Sequence, residues 1–295
     1  MTMKFDYKGM QALCSIIEEQ SFEAAALKLC ITQSAVSQRL KALQQYYGDP
    51  LLVRGDEYIP TNLGAELLAH YKKIKYIEED TQQKIQGTSR PIELIVAVSR
   101  DMLDTWFLPI IIKKHFLSSV RISVIADDQD VTHRYLQMGK VSCCFSTVPR
   151  AVVGCDVSFI GNMRYVLVAT PQFKKKYFKG SDQHHNLLNA PIVKFDEQDQ
   201  LNNKYLAKHF DIMNVSPPCF MVPSVRGFRE LVLSGSAYAL IPERDIQKEL
   251  ASGRLITLFP KKYWDMPIFF HYWMLGDAGY SDAIARLKKY AAICF

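Results

Sequence analysis

The stretch Ser21–Tyr47, SFEAAALKLCITQSAVSQRLKALQQYY, constrains the chain most, because it reads as two short helices meeting at a tight corner. Ser21 caps the first helix and Thr32 the second, each hydroxyl standing where it can accept from a free N–H of the first turn. Ala24, Ala25 and Ala26 are strong helix formers whose small side chains let a neighbouring helix approach. Gly48 and Pro50 stop the second helix. Along it Val36, Leu40, Leu43 and Tyr47 recur on one face at helical spacing. Ser34, Ser37, Gln38, Lys41 and Gln45 share the opposite face, with no acid among them. Short hydroxyls, amides and a cation suit base edges and phosphates in a major groove. A solvated helix face is the other reading of this pattern alone.

The same residues carry a family resemblance. AALKLCITQSAVSQRLKAL, then GDPLLVR at Gly48–Arg54 and PTNLG at Pro60–Gly64, resembles the winged helix-turn-helix of LysR-type transcriptional regulators. Two departures stand out: Gln44 where that family usually has an acid, and Leu51-Leu52 where it usually has Leu-Phe. Neither touches the polar face. Leu51–Arg54 and Glu57–Ile59 flank Gly55-Asp56 as a short hairpin, the wing of such a domain. A double-stranded DNA operator is the implied partner. Thr32, Gln33, Ser34, Ser37, Gln38 and Lys41 face the duplex in this reading, and Arg54 reaches it from the wing.

At 295 residues the chain exceeds one ordinary domain. The expected division is a DNA-binding domain over 1–61, a dimerising linker over 62–90 and an effector-binding region over 91–295. No apolar run approaches the roughly 18 residues of a membrane span, and MTMKFDYKGM lacks a signal-peptide core. A cytoplasmic, nucleoid-associated protein with no membrane partner is expected. The net charge of +6 does not come from the DNA-binding part: residues 1–90 hold 11 cations and 11 acids, residues 91–295 hold 25 and 19. DNA binding rests instead on local placement, since Lys28, Arg39, Lys41 and Arg54 outnumber Asp49 between Leu27 and Arg54. Seven cysteines, an odd number without a CxxC, suit buried free thiols in a reducing compartment. A redox pair is the alternative. Zinc held by Cys143, Cys144 and His184 or His185 matches no common ligand spacing, and no metal or cofactor is expected.

Lys8–Gln20 forms an opening helix that packs behind the corner and completes a three-helix core. From Asn62 to Gln86 there is no Pro and, after Gly64, no Gly. Leu63, Leu67, His70, Ile74, Ile77 and Thr81 recur by four and three, a coiled-coil seam of about three heptads. A second copy would hide it, which makes a homodimer or homotetramer and sets two recognition helices on one duplex. Gly87–Pro91 then breaks the helix.

Beyond Pro91 strands alternate with helices, an α/β region with mostly parallel sheets. By resemblance this is the two-lobed effector domain of the family, similar in fold to periplasmic solute-binding proteins. Crossovers are expected near Gly161–Tyr165 and Met266–Phe269. Ligands of such lobes collect at the carboxyl ends of strands. Ser99-Arg100-Asp101, Ser146-Thr147 and Ser224 with Arg226 stand at such ends, and so do Asp128 and Asp196. Hydroxyls for a carboxylate and acids for an ammonium suit an amino acid, although each serine alone also reads as a plain helix cap.

SRDMLDTWFLPII, VKFDEQDQ and IPERDIQKELASGRLITL narrow the resemblance to the arginine- and lysine-responsive branch of the family. That branch tends to carry an acid where this chain has Arg226, and Arg100 adds a further cation. Both would repel a cationic side chain, which points to a neutral or acidic amino acid. A secreted solute carrier is a poor fit, since it has no recognition helix. An enzyme using Cys144 with His133 or His115 lacks a nucleophile elbow, a phosphate loop and a paired metal motif.

Overall fold

The computed structural model describes residues 5–86, 91–112, 120–197, 199–213, 217–276 and 278–295. The break expected at Gly87–Pro91 lies, up to residue 90, outside the described residues. The chain forms two compact units, Met1–Gly161 with Ile268–Phe295, and Asn162–Pro267.

The first unit opens with α1 (Tyr7–Glu19), α2 (Phe22–Leu29) and α3 (Gln33–Tyr47). Asp6, Ser21 and Thr32 cap them, accepting from Gly9, Ala24 and Ala35 at 3.1, 3.2 and 3.2 Å. Each helix ends on a residue in the left-handed region: Gln20, Cys30 and Gly48. Leu13, Ile16, Ile17, Ala25, Val36, Leu40 and Leu43 close a three-helix core. Burying a side chain of this kind stabilises by about 1.5–3 kcal/mol. The wing is β1 (Leu52–Arg54) antiparallel to β2 (Tyr58–Pro60). Gln20 holds it: its Nε2 donates to the Tyr58 carbonyl at 3.0 Å and its Oε1 accepts from the Tyr58 N–H at 2.6 Å. Gln44 has a comparable task, accepting from the Leu51 N–H at 3.1 Å. The linker helix α4 (Asn62–Ile85) then starts so close to the wing that a Cβ on Gly64 would stand 2.0 Å from the Leu51 carbonyl oxygen. Only glycine fits there.

The sheet of this unit places β3 (Ile92–Ser99) between β4 (Val120–Asp127) and β5 (Cys143–Ser146), parallel to both. Between β3 and β4 come α5 (Arg100–Met102), a π turn at Leu103–Phe107 and α6 (Leu108–Ile111). Helix α7 (Gln129–Gln137) joins β4 to β5. Two long strands, β6 (Cys155–Ala169) and β11 (Tyr263–Trp273), carry the chain across the unit boundary. The Phe269–Tyr272 part of β11 is antiparallel to β5. The sheets are therefore mixed and not mostly parallel, because a crossover strand returns against the direction of the βαβ strands beside it.

In the second unit β6 pairs antiparallel with β9 (Ala239–Pro242) and β10 (Ile256–Thr257). A parallel pair, β7 (Ile192–Lys194) and β8 (Cys219–Met221), carries α10 (Leu201–Phe210) and α11 (Val225–Leu233). Short helices α8 (Pro171–Tyr177) and α9 (Gln183–Asn189) fill a stretch that sequence periodicity leaves blank. Val166, Val168, Val193, Phe228, Val232 and Ile241 form its core. Helix α12 (Gln247–Ala251) and, in the first unit, α13 (Ala278–Ala292) complete the elements. Among the described residues no helix is long and apolar enough to cross a membrane.

Candidate nucleic-acid interface and effector site

Helix α3 buries Val36, Leu40 and Leu43 and leaves Thr32, Gln33, Ser34, Ser37, Gln38 and Lys41 exposed. The Thr32 hydroxyl does double duty, capping the helix and lying 3.0 Å from the Ser34 hydroxyl. The other five side chains therefore form one open polar face without an acid, and Thr32 shapes its N-terminal edge. Arg54 is exposed at the end of β1, its guanidinium 5.9 Å from the Tyr58 ring centroid. All seven DNA-facing candidates lie on the recognition helix, its cap or the wing.

The seam candidates on α4 divide into two groups. Leu67 is buried in its own domain, with Leu68 and Tyr71, and Leu63 packs beside them. His70 stacks on Phe5 at 4.3 Å. Ile74 is half-buried, while Ile77 and Ile85 are 55% and 80% exposed. The apolar surface left exposed thus lies on the distal half of the helix.

At the effector end, Ser99 is paired with Asp127 across β3 and β4, and Ala97 with Cys144 across β3 and β5. Two residues further on, Ser146 stands level with Ser99. Ser146, Ser99 and Asp127 therefore close three adjacent parallel strands in one row. Each hydroxyl has local partners. Ser99, 3% exposed, accepts weakly from the Met102 N–H at 3.4 Å and donates to Asp101, which itself accepts from Met102 at 2.9 Å. Ser146 accepts from the Val148 N–H at 3.1 Å and lies 3.2 Å from His271 Nε2. Thr147 beside it is half-buried. Behind Ser99 the α-helical turn is only three residues before the π turn, so little helix dipole accumulates there.

Asp127, beside the Asp128 named from the sequence, ends β4 level with Ser99. It accepts from Arg100 at 3.3 Å and from the Tyr135 hydroxyl at 2.5 Å. This bond to the carboxylate, with burial behind it, pushes the Tyr135 phenol up to about 12. Asp128 is half-buried and starts α7, its carbonyl accepting from Val131 at 3.0 Å and Thr132 at 3.3 Å. The alternation of VRISVIAD along β4 contains the signal, since the last residue of a strand paired with Ser99 faces the same edge.

Buried His271 supports Ser146. Its Nε2 is also 2.9 Å from the Val148 carbonyl, and its ring meets His133 edge-on at 5.0 Å. Burial, then the neighbouring His133, push its imidazole down to about 4, so it is neutral near pH 7. Its Nδ1 is buried without a hydrogen-bond partner.

In the second unit Asp196 is half-buried after β7 and accepts from the Asp199 N–H at 3.0 Å. Ser224 is exposed and caps the nine-residue α11 through the Gly227 N–H at 3.1 Å. Arg226 is exposed in the first turn of that helix. Lys194, 9% exposed at the end of β7, is a buried cation that strand patterning hides among apolar neighbours.

Cys14, Cys143, Cys144 and Cys155 are buried, but Cys30 and Cys219 are exposed, so the expectation of buried thiols holds for only part of the set. Burial pushes the Cys144 thiol well above its ordinary value, which removes the thiolate a nucleophile needs. His115, its alternative base, lies outside the described residues.

Residues 7–65 match the family described as bacterial regulatory helix-turn-helix protein, lysR family. The chain is 37% identical over 289 residues to the HTH-type transcriptional regulator ArgP of Vibrio cholerae serotype O1, a match covering 96% of this chain and 97% of that one. Its structure is similar to that of ArgP from Mycobacterium tuberculosis, with a TM-score of 0.80, 27% identity and 98% of each chain covered. It is also similar to full-length LysG from Corynebacterium glutamicum with bound effector Arg, with a TM-score of 0.79, 28% identity, and 97% and 98% covered.

Proposed function

The chain belongs to the lysR family of helix-turn-helix transcriptional regulators, and from that premise we propose that an amino acid bound at its strand ends switches its hold on an operator. The observation carrying this reading is the row Ser146, Ser99 and Asp127 across three parallel strands, with Arg100 paired to the acid. Hydroxyls and backbone N–H groups beside an acid match the two ends of a zwitterion. In this proposal the first unit offers Ser99, Arg100, Asp101, Asp128, Ser146 and Thr147, and Asp196, Ser224 and Arg226 are the strand-end candidates of the second unit taken by itself. Asp127 joins the first set. The LysG relative is described with arginine as its effector, which supports an amino acid as the ligand class here.

DNA is gripped by Thr32, Gln33, Ser34, Ser37, Gln38 and Lys41 in the major groove, with Arg54 on the wing. The open distal half of α4 pairs two copies as a homodimer or, where two such pairs join, as a homotetramer. Operator binding places the protein on the nucleoid in the cytoplasm. A tenfold change in DNA affinity requires about 1.4 kcal/mol of coupling, a difference that one or two hydrogen bonds made in only one state can supply. Calorimetric titration of the full chain with arginine, lysine, glutamine and glutamate tests the ligand class. Binding of at least one is expected, and silence from all four, together with no thermal shift across the remaining amino acids, rules out the amino-acid reading.

A further inference from the structure

Helix α7 and the turn after it, to Gly139, touch both functional ends of the first unit. At the strand ends, buried Thr132 donates to the Phe145 carbonyl at 3.0 Å. Tyr135 donates to Asp127, the carboxylate that also takes Arg100. On the other side the same segment grips the DNA-binding domain. Arg134 pairs with Glu57 at the wing tip. Met138 is buried in the core built by α1, α2 and α3. The Gly139 carbonyl accepts from Lys72 Nζ at 2.6 Å, and that ammonium also meets Glu18 of α1 at 2.6 Å. Gly139 has φ 66°, which strains any side chain, and a Cβ there would stand 2.0 Å from Lys72 Cε, so a larger residue would push the lysine out of its present position.

Arg134 and Tyr135 are neighbours on one helix of nine residues, which is about 13 Å long and moves as a body. A displacement of Tyr135 by a change at Asp127 therefore displaces Arg134. The join to the DNA-binding domain mixes polar contacts with apolar ones, Met138 in the three-helix core and Leu136 in one cluster with Ala69 of α4, and a cavity of about 430 Å3 opens beside Lys72, Lys140 and Trp273. The exposed Arg134–Glu57 pair exchanges with water at small cost, unlike a packed core, and so can have two states of similar free energy.

We propose that α7 is the relay between effector site and DNA grip, with Tyr135 reading the strand-end carboxylate Asp127 and Arg134 and the Gly139 carbonyl passing the change to Glu57 and Lys72. This rests on the effector site proposed above. Arg134 is a positioning residue here: through Glu57 it sets the wing that carries Arg54.

Hydrogen exchange on the full chain, without ligand, tests the relay directly. Asp127→Ala breaks the reading contact, since an asparagine there could still accept from the phenol, and Tyr135→Phe breaks it again without touching Arg100. Each is expected to raise exchange in the wing segment 52–60 by about threefold or more, a local opening well below global unfolding. In a background where Arg134→Ala and Lys72→Met cut the latches, the same changes should leave the wing unmoved, and Arg134→Lys should restore part of the response. An unchanged wing in both single variants, or an equal rise with the latches cut, overturns the relay. Adding L-arginine separates the two readings. Calorimetric binding with no wing response sinks the relay and leaves the effector site standing. No binding, with the Asp127 effect intact, sinks arginine as effector and leaves the relay.

Discussion

Lys72 Nζ stands 2.6 Å from Glu18 Oε1, so one ammonium ties the linker helix to the first helix of the DNA-binding domain. Both side chains are about one-fifth exposed. Burial alone would lift the Glu18 carboxyl. The charge and hydrogen bond of Lys72, with those of Lys28, outweigh it and hold the carboxyl at about 2 against an ordinary 4.5. The folded state then binds fewer protons than the unfolded chain between those values. Stability from this pair is complete above pH 4.5 and is lost as pH falls toward 2. Lys72→Met should lower stability at pH 7 by on the order of 1–3 kcal/mol and shrink the loss between pH 5 and pH 3. Urea denaturation at the three pH values measures both, and an undiminished acid loss would show that Lys28 alone sets Glu18.

The exposed polar face of α3 makes a sharper demand. Ser37→Ala or Gln38→Ala should relax discrimination at one base position by about 1–3 kcal/mol where the side chain reaches a base edge. Lys41→Ala and Arg54→Ala should instead weaken all sequences alike and flatten the salt dependence. Operators selected from random duplexes, then titrated at several salt concentrations, separate the two patterns. If all four variants bind as the parent does, the recognition surface lies elsewhere.

Burial decides which seam variants are informative. Leu67→Asp would put a carboxylate in the chain's own core and unfold the DNA-binding domain, whatever the oligomeric state. Ile77→Asp with Ile85→Asp changes only exposed positions. That pair should cut dimerisation at least tenfold in analytical ultracentrifugation, about 1.4 kcal/mol, with no loss of thermal stability in the monomer. Intact dimers in the double variant would move the interface off α4.

The helix-turn-helix was legible because its signals are local. Caps at Ser21 and Thr32, the stop at Gly48 and the stripe Val36, Leu40, Leu43 are each fixed within one turn or two of sequence. The seam was half legible. Helical spacing puts Leu67 and Ile77 on one stripe, but the first faces its own three-helix core and the second faces solvent, and periodicity cannot tell two apolar partners apart. The effector end was least legible, because its row is made by pairing between distant strands. Asp127 becomes a candidate through its level with Ser99 and its bond to Tyr135, neither of which a single strand records. Short α8 and α9 escaped for another reason: seven residues are too few for a helical stripe to repeat.

His271 supplies a pH dependence of opposite origin to that of Glu18. Burial, then His133, keep its imidazole neutral down to about pH 4 in the folded chain, whereas the unfolded chain takes a proton near 6.5. Stability should therefore fall as pH drops from 6.5 and level off below 4. His271→Gln keeps a donor for the Val148 carbonyl and removes the titration. It should spare on the order of 2 kcal/mol of that loss, read by denaturant titration at pH 7, 5.5 and 4.5. An equal loss in the variant assigns the acid sensitivity to other groups.

Arg226 is the proposed selector of which amino acid the site admits. It is exposed in the first turn of α11, two residues after the cap Ser224. A guanidinium there repels a second cation by about 1 kcal/mol at 4 Å in water and more where solvent is excluded. If Ser224 meets the ligand, lysine and arginine should bind the parent more weakly than glutamine or glutamate. Arg226→Glu reverses the local charge, so it should favour the cationic pair over glutamate by at least tenfold, equivalent to about 1.4 kcal/mol. The isotherms of all four amino acids on parent and variant give that ratio directly. Tight lysine binding by the parent, left unchanged by Arg226→Glu, would mean that this side chain points away from the ligand. The basic amino acid would then be the effector, and selection would fall to the acids at the strand ends, with Asp127→Asn as the variant that must lose it.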